Sequence, residues 1–137
     1  LLLERGFITR IIYITHDLPM LSNIAHRIAV MYAGKIVEVG TTGDVVDAPQ
    51  HPYTQALIAS TLDPDPRVRS ARLEGIRGAP PDLRYPPGGC RFHPRCSQAL
   101  EICAAEEPPL VGREGDRQAA CWLLDEGRRA GPREVVP

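Results

Sequence analysis

The first clear pattern in the chain is a continuous apolar run. Ile11-Ile12-Tyr13-Ile14-Thr15 holds no polar alternation and is mostly β-branched. A strand buried on both faces of a parallel sheet presents such a run. Before it, Leu1-Leu2-Leu3-Glu4-Arg5-Gly6 reads as the end of a helix stopped by Gly6. After it the period changes, and Leu18, Leu21, Ile24 and Ala25 share one helical face. Asp17 suits the N-cap of that helix and Pro19 its first turn. Arg27-Ile28-Ala29-Val30-Met31-Tyr32 and the alternating Lys35-Ile36-Val37-Glu38-Val39-Gly40 flank Ala33-Gly34 and predict an antiparallel hairpin. Thr41 or Thr42 is expected to cap a short helix over residues 43–47. Pro52 is expected to open another helix over residues 53–60, with His51 helping to cap it. The order strand, helix, strand, strand, helix, helix predicts an α/β fold.

The pattern changes at Leu62-Asp63-Pro64-Asp65-Pro66. From there to Pro109 the chain is rich in Pro, Gly and Arg, and apolar runs are few. A segment this irregular buries little surface, so it is either disordered or stapled. The boundary is placed at residue 63, giving parts 1–62 and 63–137. Composition adds little: of 137 residues, 43% are hydrophobic and 24% charged, an ordinary globular balance. Sixteen basic and seventeen acidic side chains leave a net charge of -1, which argues against a nucleic-acid partner. No run reaches the roughly 20 apolar residues of a membrane span. The chain opens without Met, inside what reads as a helix, so it is expected to continue a longer protein.

All four cysteines follow the boundary: Cys90, Cys96, Cys103 and Cys121, spaced C-x5-C-x6-C-x17-C. Cross-linking would supply the stability that burial cannot. Two disulfides suit an oxidising compartment, and nothing else here looks secreted. Zinc would staple the segment too, although its sites usually contain tight C-x2-4-C knuckles and this chain has no CxxC. An iron–sulfur cluster takes four thiolates and tolerates wider spacings. Arg91 and Arg95 would offset the thiolate charge. Four free thiols without metal would be prone to oxidation. His93 lies among the cysteines and is expected to hydrogen-bond or face solvent rather than ligate.

His16 falls at the carboxyl end of the apolar strand, the edge where open α/β sheets bind ligands. A neutral imidazole there can accept a proton from water or donate to a phosphate oxygen. A histidine in that position is also common as a purely structural residue. His26 is read as a structural residue at a helix end, where a cation meets the helix dipole favourably. The chain holds no G-x-x-x-x-G-K-[ST] loop, no G-x-S-x-G elbow and no HExxH pair. Its one lysine, Lys35, sits at the hairpin turn. This segment alone therefore holds no self-sufficient catalytic constellation.

Together the motifs carry a resemblance. Tyr13-Ile14-Thr15-His16-Asp17-Leu18 resembles the switch-histidine segment of ABC transporter nucleotide-binding subunits, and residues 27–40 resemble the hairpin that follows it. His51-Pro52-Tyr53-Thr54-Gln55-Ala56-Leu57 is similar to the start of the C-terminal extension of oligopeptide, dipeptide and nickel importers. Residues 89–96, Cys103, Glu107-Pro108-Pro109-Leu110 and Ala120-Cys121 complete that extension's pattern. The resemblance implies the C-terminal fragment of a P-loop NTPase (ABC nucleotide-binding) domain, residues 1–62, followed by a loop-rich, cysteine-stapled extension, residues 63–137. It implies ATP and Mg2+ as ligands of the whole subunit, with His16 contacting the γ-phosphate. It implies a [4Fe-4S] cluster on Cys90, Cys96, Cys103 and Cys121, with Zn2+ as the alternative. The implied partners are a second ATP-binding subunit, two transmembrane permease subunits and an extracytoplasmic substrate-binding protein, at the cytoplasmic face of a bacterial or archaeal membrane. The competing reading is a stand-alone metal-binding interaction module.

Overall fold

A computed structural model describes residues 10–60, 76–112 and 115–125. The expected helix end at residues 1–6, the boundary at residue 63 and the tail after residue 125 lie outside the described residues.

The hairpin forms as the alternation predicts. β1 (Arg27–Tyr32) pairs antiparallel with β2 (Lys35–Thr41), with Tyr32 opposite Lys35 across the turn. Ala33 and Gly34 both have positive φ, 48° and 81°, as a two-residue turn matched to strand twist requires. Gly34 meets that demand without penalty, whereas Ala33 adopts it at about 1 kcal/mol. The register shifts between Val30 and Met31, a bulge on the β2 side at Val37. β1 buries alternate residues, and Ile28, Val30 and Tyr32 join Val37, Val45 and Phe92 in the core.

The helices follow their caps. In α1 (Leu18–Ile24) the Asp17 carboxylate accepts the Met20 N–H at 3.0 Å. Leu18, Leu21 and Ala25 pack on the core, but Ile24 is exposed because the helix ends there. His26 consequently lies one residue past the Ala25 C-cap rather than in the helix. α2 (Thr42–Asp47) takes Thr41 as its N-cap, and α3 (Pro52–Ala59) takes His51.

The extension joins the hairpin's sheet. α4 (Glu101–Ala105), β3 (Val111–Gly112) and β4 (Gln118–Ala119) are its regular elements, with 3-10 turns at His93–Arg95 and Trp122–Leu124. β4 pairs with β2, Glu38 opposite Ala119, and β3 pairs with β4, giving the order β1-β2-β4-β3. The Ala120 N–H continues the ladder to the Val37 carbonyl at 2.9 Å.

Two expectations fail. Residues 11–15 form no strand, and Ile12 and Ile14 are 90% and 98% exposed. A strand exists only by pairing, and no described residue pairs with this run, so its β-branched side chains have nothing to pack against. For the same reason the sheet is wholly antiparallel, not the parallel sheet the run predicts.

Candidate functional site

The four cysteines share one neighbourhood of the extension, near enough for each of Cys90, Cys96 and Cys103 to act on the Cys121 thiol. Cys90 and Cys103 are joined by a main-chain bond, Cys90 N–H to Cys103 carbonyl at 2.8 Å. Gly89 makes this approach possible. Its φ is +60°, and a Cβ there would lie 2.3 Å from the Cys103 oxygen. The tight turn 93–95 then folds Cys96 back, with the Cys96 N–H donating to the His93 carbonyl. Burial raises the Cys90 and Cys96 thiols above their usual range and pushes Cys121 up to about 11. The other cysteines act in the same direction: Cys121 feels Cys90, Cys96 and Cys103.

Backbone amides oppose that effect at the sulfurs. Phe92 and His93 donate toward Cys90, Gln98 toward Cys96 and Leu123 toward Cys121. The Leu100 N–H meets the Cys103 sulfur at 3.4 Å. Such N–H groups would stabilise charge on a metal-bound sulfur, but in the thiols themselves burial outweighs them. As placed, no three His, Cys, Asp or Glu side chains among the described residues are arranged to hold a metal ion. The cysteines are all free. His93 behaves as expected, its Nδ1 2.9 Å from the Cys90 carbonyl.

Arg91 and Arg95 do not serve the thiols. Arg91 donates to the Ala33 carbonyl at the hairpin turn. Arg95 donates to the Ile76 and Arg77 carbonyls at 3.0 and 2.8 Å and to the Tyr32 hydroxyl at 3.3 Å. Carbonyls at a strained turn and a loop offer fixed acceptors that a protonated, neutral thiol does not. Between these arginines, Phe92 is buried against Tyr32 and Tyr53, with ring centroids 5.1 and 5.3 Å apart, and against His51 at 5.9 Å. The cysteine segment is thereby riveted to the hairpin and to α3.

A second junction was not legible in the sequence. Glu38, fully buried in β2, accepts the Gln50 and His51 N–H groups, both at 2.9 Å. Arg117 of the extension reaches the same carboxylate at 3.3 Å and donates to the Asp44 carbonyl at 2.8 Å and to Ala48. His51 is buried above it and caps α3, its Nδ1 accepting the Tyr53 N–H at 3.0 Å. That acceptor role requires a neutral ring, and burial lowers the His51 pKa to about 4 although Glu38 works against the shift. A lone acid in an apolar strand was the only available signal for this junction.

His16 stands apart from these groups, exposed at the bend before α1. The structure does not bring it to the cysteines.

Residues 37–103 match the family described as oligopeptide/dipeptide transporter, C-terminal region. The chain is 41% identical over 118 residues to a dipeptide transport ATP-binding protein, DppD, of Caldanaerobacter subterraneus, covering 86% of this chain and 36% of the relative. It is 41% identical to the oligopeptide transport ATP-binding protein OppD of Bacillus subtilis, over 98% of this chain and 37% of that protein. It is 48% identical to a probable peptide ABC transporter ATP-binding protein, y4tS, of Sinorhizobium fredii, over 82% and 32%. The chain spans about a third of the length of these relatives. The likeness runs through both the hairpin and the extension, which favours an ATP-binding protein over a stand-alone metal-binding module.

Proposed function

The chain belongs to the oligopeptide/dipeptide transporter ATP-binding family, as its C-terminal part, and from that premise we propose that it completes an ATP-binding subunit driving import of peptides or a related substrate. The observation that carries this reading is the likeness to named peptide-transport ATP-binding proteins over 82–98% of the chain. The proposed assembly is a second ATP-binding subunit, two permease subunits and an external binding protein, with this subunit peripheral on the cytoplasmic side. Among the described residues no helix is long and apolar enough to cross a membrane. Peptide uptake into vesicles containing the assembled importer should require both ATP and this subunit. Uptake that persists without the subunit would refute the proposal.

His16 is proposed to hydrogen-bond the γ-phosphate of Mg2+-bound ATP and to orient the attacking water. Phosphoryl transfer asks mainly for positioning and charge stabilisation, which an imidazole at a turn can supply. Its exposure at the bend before α1 leaves the ring accessible to such a ligand.

Cys90, Cys96, Cys103 and Cys121 are proposed to hold a [4Fe-4S] cluster, with Zn2+ as the alternative. Support comes from the common neighbourhood of the four thiols, near enough to influence one another, and from a backbone N–H at each sulfur. When bound, the group would supply a covalent staple across the extension. The chain's own residues do the rest: the amides orient the sulfurs, and Phe92 and the arginines fix the segment to the sheet. Anaerobically purified full-length subunit should be brown and carry about four iron atoms per chain. A colourless protein with one zinc would select the alternative, and one with neither would overturn the metal reading.

A further inference from the structure

A half-open cavity of about 200 Å³ lies between the hairpin and the extension. The hairpin contributes Tyr32, Ile36 and Val37 to its walls, and the extension contributes Phe92, Pro108 and Leu110. Apolar cavities of about 150 Å³ already accept a benzene-sized group. Three charged side chains also line it: Lys35, Arg91 and Glu107. Lys35 and Glu107 pair at 2.8 Å and stay about half exposed, so they stand at the mouth. Arg91 reaches the same hairpin turn, where it donates to the Ala33 carbonyl, and a Cβ on Gly34 would lie 3.4 Å from its terminal nitrogen. Arg91 has no carboxylate partner among the described residues. The lining therefore sets two cations against one anion and leaves one positive charge unmatched.

We propose that this cavity binds a small apolar monocarboxylate, its branched or phenyl tail among the apolar walls and its carboxylate on Arg91 and Lys35 at the mouth. An apolar tail displaces water that such walls cannot hydrogen-bond. One negative charge neutralises the surplus of the lining, whereas a neutral or zwitterionic ligand leaves it in place. Arg91 spends one N–H on the Ala33 carbonyl and keeps further guanidinium donors for an anion. The Lys35–Glu107 pair is exposed enough to be screened by solvent, so Lys35 turns toward a second carboxylate at little cost. Cys90 also contributes to the lining, but the site asks no chemistry of it. The inference goes beyond the import reading and stands apart from the metal reading, so neither falls with it.

The test is isothermal titration of the purified full-length subunit with 4-methylpentanoate, its amide, leucine and acetate. 4-Methylpentanoate should bind saturably, at about the millimolar strength usual for ligands of its size or more tightly. The amide and leucine share its branched tail but carry no net negative charge, and should bind at least about tenfold more weakly. Acetate keeps the charge and loses the tail. At roughly fourfold per buried carbon, it should bind at least about 30-fold more weakly.

Two substitutions at the exposed pair separate the charge argument from mere hydrophobic binding. Lys35→Met removes the surplus positive charge and should weaken 4-methylpentanoate about tenfold. Glu107→Gln enlarges the surplus and should leave binding as tight or tighter. At a ligand concentration about ten times the dissociation constant, amide exchange through opening of residues 32–37 against 89–92 should slow about tenfold, because the ligand bridges the two. No saturable binding up to about 10 mM would overturn the proposal. So would equal binding of the amide, leucine or acetate, or weaker binding in Glu107→Gln. Binding that ignores Lys35→Met, or that protects neither segment, would place the ligand elsewhere and overturn it as well.

Discussion

Arg117→Met tests whether the extension is built into the hairpin. The Arg117 side chain is only 11% exposed and the Glu38 side chain it meets is fully buried. Removing the guanidinium leaves that carboxylate with two amide donors and no cation, and leaves the Asp44 and Ala48 carbonyls short of a donor. Breaking a buried pair by deleting one partner costs about 3–5 kcal/mol. The 3.3 Å separation is long for a charge-assisted bond, which points to the lower end, about 3 kcal/mol. The loss should fall on the β2–β4 junction, where Ala119 pairs with Glu38 and the Ala120 amide is bonded to Val37. At about 1.4 kcal/mol per factor of ten, amide exchange across residues 117–121 should accelerate roughly 100-fold in the full-length subunit if the strand opens locally. Glu38→Gln keeps an acceptor of the same shape and should cost about 1 kcal/mol. Hydrogen–deuterium exchange read peptide by peptide is the assay. If exchange at residues 117–121 stayed at the wild-type rate in Arg117→Met, the view that this junction locks the extension in place would be wrong.

Three further outcomes follow from particular contacts. Because the His51 pKa is lowered from 6.5 to about 4, the ring is neutral in both states above pH 6.5 and its full contribution is present there. As pH falls from 6.5 toward 4 the unfolded chain takes up a proton that the fold refuses. Stability should therefore drop by up to about 3 kcal/mol, seen as a falling urea midpoint that His51→Asn flattens; a midpoint independent of pH in the wild type would contradict this. Gly89→Ala places a Cβ 2.3 Å from the Cys103 oxygen at positive φ, so it should cost about 2–4 kcal/mol and speed proteolysis within residues 88–105, whereas unchanged resistance would mean the close approach is not maintained. Phe92→Ala empties a buried aromatic site between Tyr32, Tyr53 and His51 and should cost about 3–5 kcal/mol by thermal unfolding, Phe92→Leu distinctly less; equal losses would show that volume at this position does not matter.

The sequence was most readable where structure is local. Asp17, Thr41 and His51 cap their helices because a short side chain needs only the next turn's N–H as partner. The hairpin was readable because its alternation and its Ala33-Gly34 turn lie side by side. The run at residues 11–15 misled, since its apolar character describes neighbours that the described residues do not contain. In the extension, four cysteines announced a shared site without giving its geometry. Its attachment escaped notice because Arg91, Arg95 and Arg117 find their acceptors 58, 63 and 79 residues away. Arginines that looked like counter-charges for thiolates are instead the bonds joining extension to hairpin. Strand β4, only two residues long, carries no periodicity to detect.

The central proposal is that this segment gives an ATP-binding subunit the histidine that positions its γ-phosphate. The direct measurement is ATP turnover by the assembled importer carrying His16→Ala in the full-length subunit, beside nucleotide binding by the same protein. Binding should persist while turnover falls by about 100-fold or more, as expected when a positioning contact to the reacting group is lost. Turnover at the wild-type rate would contradict the account.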